Sequence, residues 1–402
     1  MKFVDEFRDA TAVQQLIAQI RRLATRRHVV MEVCGGQTHS LLRYGIDNEL
    51  RDVVELIHGP GCPVCVTPVG DIDLAVRLAL QEGVTVASFG DMLRVPGAYQ
   101  SLNDARAAGG DVRIVYSPVD AVKLAQRNPD EHVVFFAVGF ETTAPATAIA
   151  ALQAERLRLE NLSMLVSHVR VLPAMEALML APGNRVEAFL AAGHVCTVTG
   201  FRSYETFAKQ YGIPVAVTGF EPIDLLEGIR DCVRQLESGR VDVTNQYSRS
   251  VRRDGNEHAR MAVNQVYEVA DRPWRGFGVI KNGGLRLRAQ FRKFDARRRF
   301  AHVQQSEPIA GIIDAAPTVD LPTVAQPDCP AAEVLSGRLR PADCPHFGTR
   351  CSPEKPLGAP MVSSEGACAA YYLYHRTTGV EDEFKLTALG ATANRNEGSP
   401  DR

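Results

Sequence analysis

Twice along this chain, short β-branched runs alternate with helix-like stretches, and this alternation restricts the fold more than any other feature. The first series of runs covers residues 28–33, 53–57, 84–88 and 112–116, with a helical stretch at 71–81. The second covers 132–138, 162–167, 195–198 and 214–218, with helical stretches at 144–159 and 204–211. Strands alternating with helices predict βαβ units and a largely parallel sheet. The two series read as one architecture used twice, without a residue-level repeat. The fold class is therefore α/β, with two similar open parallel-sheet domains. Sites in such sheets gather at the carboxyl ends of strands. Gly, Cys, His and Thr crowd there in both series.

The flanks differ. Residues 3–24 place apolar side chains at helical spacing between charges, which predicts an amphipathic packing helix. A helical stretch is expected from Asn245 to about Val269. Residues 272–360 are punctuated by Pro and Gly and are expected to be irregular. Residues 391–402 are polar and expected to be disordered. With 402 residues, the chain has length for two or three domains.

Nine cysteines in a chain whose start lacks an apolar secretory segment favour metal or redox chemistry over structural disulfides. Four of them fall in about a tenth of the chain, spaced C-x14-C-x6-C-x16-C: Cys329, Cys344, Cys351 and Cys368. Thiolates suit iron–sulfur clusters or zinc. These spacings are too long for the C-x2-C knuckles of a zinc ribbon, and a 4Fe-4S cluster is the expected occupant. Loop-rich chain here needs something besides an apolar core to hold it.

Cys62-Pro63-Val64-Cys65 follows the run at 53–57. A C-x-x-C pair in an α/β setting reads as a redox dithiol or half of a metal site. No second C-x-x-C exists, so redox work is preferred. Cys34-Gly35-Gly36-Gln37-Thr38-His39 follows the run at 28–33. A cysteine between a strand end and a helix start meets the positive end of the helix dipole, which favours the thiolate; a buried structural cysteine is the equal alternative. His39 is close enough in sequence to act as a ligand, base or hydrogen-bond partner. Gly139-Phe140-Glu141-Thr142-Thr143 follows the run at 132–138. It either caps a helix or binds an anion, with Glu141 as a candidate acid or base. Ser167-His168 invites the same pair of readings. Cys196 and Cys232 read as core thiols.

Acids and bases nearly cancel, 47 against 45, so no global field favours nucleic acid. The basic run at 286–299 reads as a solvated or ion-paired surface, with a docking patch as the lesser alternative. No apolar run approaches the ~18 residues of a membrane span. A cytoplasmic location is expected. P-loop, GxGxxG, HExxH and GxSxG motifs are absent.

Together these motifs resemble those of the HypD family of hydrogenase maturation factors. The resemblance runs from about residue 10 to about residue 376. It also includes Gly219-Phe220-Glu221-Pro222, Cys344-Pro-His-Phe-Gly-Thr-Arg-Cys351 and Ser363-Ser-Glu-Gly-Ala-Cys368. It implies domains at 25–129 and 130–239, and a third, irregular iron–sulfur domain built from both chain ends, 1–24 and 240–402. It also implies a redox-active scaffold for the Fe(CN)2CO group of NiFe-hydrogenases. A HypC-type partner would add a cysteine ligand to that iron. HypE, with HypF upstream, would deliver cyanide, and the hydrogenase large subunit would be the indirect client. Cys34 would bind the iron under assembly, Cys62 and Cys65 would form a thiol relay, and Glu141 would lie near the same cleft. Two rival readings are an iron–sulfur-dependent thiol/disulfide oxidoreductase acting on client proteins and a zinc-stabilised binding module.

Overall fold

The computed structural model describes residues 5–304 and 329–375. Eleven strands are assigned among them: β1 (His28–Glu32), β2 (Val54–His58), β3 (Val84–Ser88), β4 (Asp111–Ile114), β5 (His132–Gly139), β6 (Leu162–His168), β7 (Ala188–Ala192), β8 (Val215–Thr218), β9 (Val243–Asn245), β10 (Tyr267–Trp274) and β11 (Gly278–Leu287). They form two parallel sheets and one antiparallel hairpin. The first sheet has the order β2-β1-β7-β8-β9, the second β4-β3-β5-β6, and β10 pairs with β11. The inner strands are buried along nearly their whole length, as sheets covered on both faces require.

The α/β class and the two parallel sheets agree with the sequence reading. The strands do not group as 25–129 and 130–239, however. The chain lays down β1 and β2, leaves to build the whole second sheet, and returns with β7, β8 and β9 to the first. β1 pairs with β2 on one side and with β7 on the other. This path sets a topological switch point in each sheet: between β1 and β7 in the first, and between β3 and β5 in the second. Crevices open beyond the carboxyl ends of strands at such points. Cys34 lies just past β1 and His194 just past β7. Glu141 lies just past β5.

Helix α1 (Ala10–Leu23) begins at Asp9, whose carboxylate accepts the Ala12 N–H at 2.7 Å. Its apolar stripe, Val13, Leu16, Ile17 and Ile20, packs into the core formed with β1, β7 and the helix Pro222–Ser238. Each such side chain contributes roughly 1.5–3 kcal/mol by leaving water. The amphipathic reading of α1 is correct, but the helix belongs with the first sheet, not with the C-terminal cysteines.

Three other expectations need correction. Residues 195–198 are helical, within Gly193–Thr199, and the strand is Ala188–Ala192. That strand is mostly alanine and carries no β-branched residue, so its signal was masked by the β-branched turn of helix after it. The helix expected from Asn245 is confined to Glu257–Val266, between β9 and β10. The stretch from 272 opens as strand rather than irregular chain, because β10 and β11 alternate buried and exposed side chains along part of their length. In the basic run, Arg286 pairs with Glu268 (2.8 Å), Lys293 with Glu155 (2.5 Å) and Arg297 with Asp71 (2.7 Å). Its ion-paired reading holds. The tail at 391–402 lies outside the described residues.

The placement of α1 predicts that Ile17→Ala, which empties a fully buried position, lowers unfolding stability by about 2–5 kcal/mol. Chemical denaturation followed by circular dichroism reads this as a lower midpoint. An unchanged midpoint would mean that α1 is not part of this core.

Candidate functional site

Cys34 lies two residues past β1 and caps α2 (Gly35–Arg43). Its N–H donates to Glu32 Oε2 at 2.7 Å. The Gly35 N–H donates to the Gly61 carbonyl (3.0 Å), which ties this turn to the loop after β2. The side chain is 1 % exposed. Its sulfur lies 3.4 Å from Nε2 of His194. The His194 ring stacks on Phe220 with centroids 5.1 Å apart, so the Gly219-Phe-Glu-Pro222 motif supports the imidazole that meets Cys34. Gln37 clamps the floor of the crevice, donating to Ala191 O and to Thr218 Oγ1 (3.2 and 2.6 Å).

The thiolate expected from the helix terminus does not prevail here. Complete burial pushes the Cys34 thiol up, Glu32 and Glu365 add to that, and the N–H groups of Gln37 and Gly36 only partly oppose it. Without metal the group is a thiol. His39 also departs from its expected place. Its Nε2 lies 2.9 Å from the Tyr374 hydroxyl, with the rings edge to face. It binds the C-terminal helix Ala367–His375, while His194 takes the position beside the sulfur. Sequence reasoning missed His194 because it lies 160 residues from Cys34 and just past a strand that had been misplaced. Correct placement of β7 would have put a histidine at a strand end, the one available signal.

Glu32 is fully buried. Besides the Cys34 N–H it accepts the Thr38 hydroxyl and His58 Nδ1, the latter at 2.7 Å. His58 Nε2 lies 3.1 Å from the Tyr371 hydroxyl. A hydrogen-bonded chain thus runs from the Cys34 turn through β1 and β2 to the C-terminal helix. Neither Glu32 nor this role of His58 was evident in the sequence.

Cys62 and Cys65 are joined as a disulfide, with Cα atoms 5.3 Å apart. Cys62 caps the one-turn helix Pro63–Val66, and Pro63 occupies its first position, where no N–H is needed. Both residues are buried, at 2 % and 0 % exposure. They share one apolar core with Cys34 and with Phe140, which follows β5. The carboxyl ends of both sheets therefore meet around the three cysteines.

Glu141 accepts the Val171 N–H at 3.1 Å. Burial raises its pKa, against the opposing pull of that hydrogen bond and of Arg170. It does not cap the following helix, where Thr143 stands at the cap position without a side-chain bond. Its electrostatic neighbours include Cys196 and Tyr204. His168 is a structural residue: Nε2 lies 2.7 Å from Thr147 Oγ1, and burial holds its pKa at about 4. Cys196 and Cys232 are buried, as expected of core thiols, and burial pushes both up.

Cys329, Cys344, Cys351 and Cys368 line one pocket, with Pro330, Val334, Phe347, Leu357, Pro360 and Met361 among its walls. A Cβ on Gly358 would lie 2.2 Å from the Cys329 sulfur, so only glycine leaves that thiol its place. The Leu357 N–H donates to the Cys351 sulfur at 3.4 Å. Burial pushes Cys329 up to about 11, and Cys351 and Cys344 add to this. Cys368 is raised by burial and by all three of the others. Four cysteine sulfurs in one apolar pocket suit a cationic iron–sulfur core, which would take the place of their protons. Among the described residues, no three His, Cys, Asp or Glu side chains converge on a single-ion site.

The pocket and the dithiol are close. The Cys65 sulfur lies 4.0 Å from the Ala359 carbonyl, and Gly358 and Pro360 line the pocket on either side of that residue. The same segment reaches Cys34, since the Glu365 carbonyl oxygen would be 2.3 Å from a Cβ on Gly35. Among the described residues, no helix is long and apolar enough to cross a membrane.

The chain is similar along most of its length to curated proteins. A protein named hydrogenase maturation factor HypD from Azotobacter vinelandii is 47% identical over 385 residues, covering 94% of this chain and 97% of the relative. Proteins of the same name from Rhodobacter capsulatus and Escherichia coli K12 are each 44% identical over 384 residues. They cover 93% and 94% of this chain, and 98% and 99% of the relatives. The model of the family described as HypD, hydrogenase formation hypA family, matches residues 11–375. With the cysteine motifs in order across that span, the chain belongs to the HypD family.

Proposed function

We propose that this chain is a scaffold and redox protein for assembly of the Fe(CN)2CO group of NiFe-hydrogenases. It acts with a HypC-type partner, which supplies a further cysteine, and receives cyanide from HypE. The observation that carries this reading is the position of Cys34. It stands at the switch point of the first sheet, facing His194, in one apolar core with a disulfide that is itself one residue from a four-cysteine pocket.

The iron under assembly is the substrate of this site. Cys34 is its ligand from this chain, and binding displaces the thiol proton that burial otherwise retains. His194 has its pKa lowered to about 4 by burial. It is therefore neutral, the form in which imidazole ligates metal. Phe220 fixes the plane of that ring, and Glu32 fixes the backbone of Cys34. Buried apolar walls shield bound diatomic ligands from water. Glu141, whose pKa is raised by burial, accepts the Val171 N–H at the neighbouring switch point.

Cys329, Cys344, Cys351 and Cys368 would hold a 4Fe-4S cluster, which supplies or accepts single electrons when bound. Cys62 and Cys65 store two electrons: reduction of their disulfide takes up two electrons and two protons and leaves two thiols. Burial of both sulfurs speaks against the oxidoreductase reading, because a client thiolate must reach a disulfide sulfur to attack it.

Three outcomes are expected. Cys34→Ala keeps the fold and the cluster but loses the infrared bands of CN and CO from the complex co-purified with its small partner. His194→Ala weakens those bands more than His39→Ala does. Bands of wild-type intensity in Cys34→Ala would place the iron elsewhere. Cys344→Ala and Cys351→Ala lose the cluster and loosen the surrounding segment, read by iron content and limited proteolysis. A folded, brown Cys344→Ala chain with four irons would refute the cage. In unfolded, quenched samples, Cys62 and Cys65 take up alkylating label only after mild reduction of the native chain. If prior reduction leaves their labelling unchanged, the relay fails.

A further inference from the structure

We propose that Arg275 is the cation that sets the reduction potential of the group held by the four cysteines, acting on Cys329 from the turn of the β10–β11 hairpin. This rests on the cluster reading of the pocket. The turn between Trp274 and Gly278 is wedged between the dithiol helix and the pocket. On one side the Arg275 N–H donates to the Val66 carbonyl at 2.9 Å, next to Cys65. On the other, Gly276 lies against Ala332, where an added Cβ would come within 3.0 Å of the alanine Cβ. Ala332 follows Cys329, Pro330 and Ala331, all of which line the pocket.

The guanidinium is held in place by neutral partners. Its Nε donates to the Thr67 carbonyl (3.0 Å) and a terminal nitrogen to the Pro96 carbonyl (2.7 Å). Among the described residues it forms no ion pair with a carboxylate. The groups whose charged forms act on it are Cys329 and Asp73. Asp73 is engaged by the Ala98 N–H at 2.8 Å, and burial favours its neutral form. Burial lowers the pKa of Arg275 to about 10, which leaves it charged at neutral pH.

A half-buried arginine without a carboxylate partner is costly. Three carbonyl and backbone contacts hold it in place, and none neutralises it. An electron added to a thiolate-ligated cluster increases the negative charge of the pocket, and a nearby cation stabilises that state over the oxidised one. Net charge and hydrogen bonding around the sulfurs are the levers by which proteins tune such clusters. Removing the charge therefore lowers the potential and makes the cluster harder to reduce.

The test is a redox titration of the full-length chain, purified anaerobically with its cluster and followed by visible absorbance and by EPR of the reduced form. Arg275→Gln and Arg275→Met should each disfavour reduction about tenfold, a shift of about 59 mV to lower potential for one electron. Arg275→Lys, which keeps the charge, should recover most of that shift. Neutral variants that titrate with the wild type would overturn the proposal. So would an Arg275→Lys potential as low as that of Arg275→Gln, or failure of both neutral variants to load a cluster, which would make the residue structural. A wild-type chain that carries no cluster would overturn the reading of the pocket itself, and the role of Arg275 with it. A loaded wild type with insensitive variants would overturn Arg275 alone.

Discussion

The buried carboxylate of Glu32 organises this molecule. It lies at the end of an inner strand, with no exposure, and a polar group there is tolerable only if it is hydrogen-bonded. Three donors engage it: the Cys34 N–H, the Thr38 hydroxyl and His58 Nδ1. Each donor belongs to a different part of the site. The first sets the turn that carries Cys34. The second locks the first turn of α2 over that cysteine. The third joins β2 to β1 and, through Tyr371, reaches the C-terminal helix that bears Cys368. Leaving a buried acceptor without one such donor costs about 1–3 kcal/mol, so the arrangement is held as a unit.

This connection explains how chain regions far apart in sequence form one site. The return of the chain to the first sheet after building the second brings β7 beside β1, and with it His194 to Cys34. The two sheets then direct their carboxyl ends at one apolar core, which also contains the disulfide. The cysteine-bearing C-terminal segment packs over the same end, with Ala359 against Cys65 and Glu365 against Gly35. Oxidisable sulfur, a candidate iron ligand and the four-cysteine pocket are neighbours because of topology.

Much of this was legible in the sequence where the signal was local. The β-branched runs that became β1, β2, β3, β4, β5, β6 and β8 were each visible locally. Each cysteine motif fell at a strand end or in the C-terminal segment, as read. What failed depended on long-range pairing. The grouping of strands into sheets is decided by which edges meet, and nothing within a strand states it. Strand β7 escaped notice because alanine-rich strands are stabilised by burial between neighbours, not by local propensity. With β7 displaced, His194 could not be placed, and His39, five residues from Cys34, took its role by proximity alone. The thiolate expected at Cys34 failed for a related reason: a helix terminus favours charge, but complete burial beside two carboxylates outweighs it.

The central claim is that iron under assembly is held at Cys34, apart from the iron held by the C-terminal cysteines. Mössbauer spectroscopy of the complex grown on 57Fe separates these directly. The account predicts two signals, one of a 4Fe-4S cluster and one of a low-spin iron with strong-field ligands. In Cys34→Ala the second signal disappears and the first stays. Loss of both together, or persistence of the low-spin iron, would contradict it.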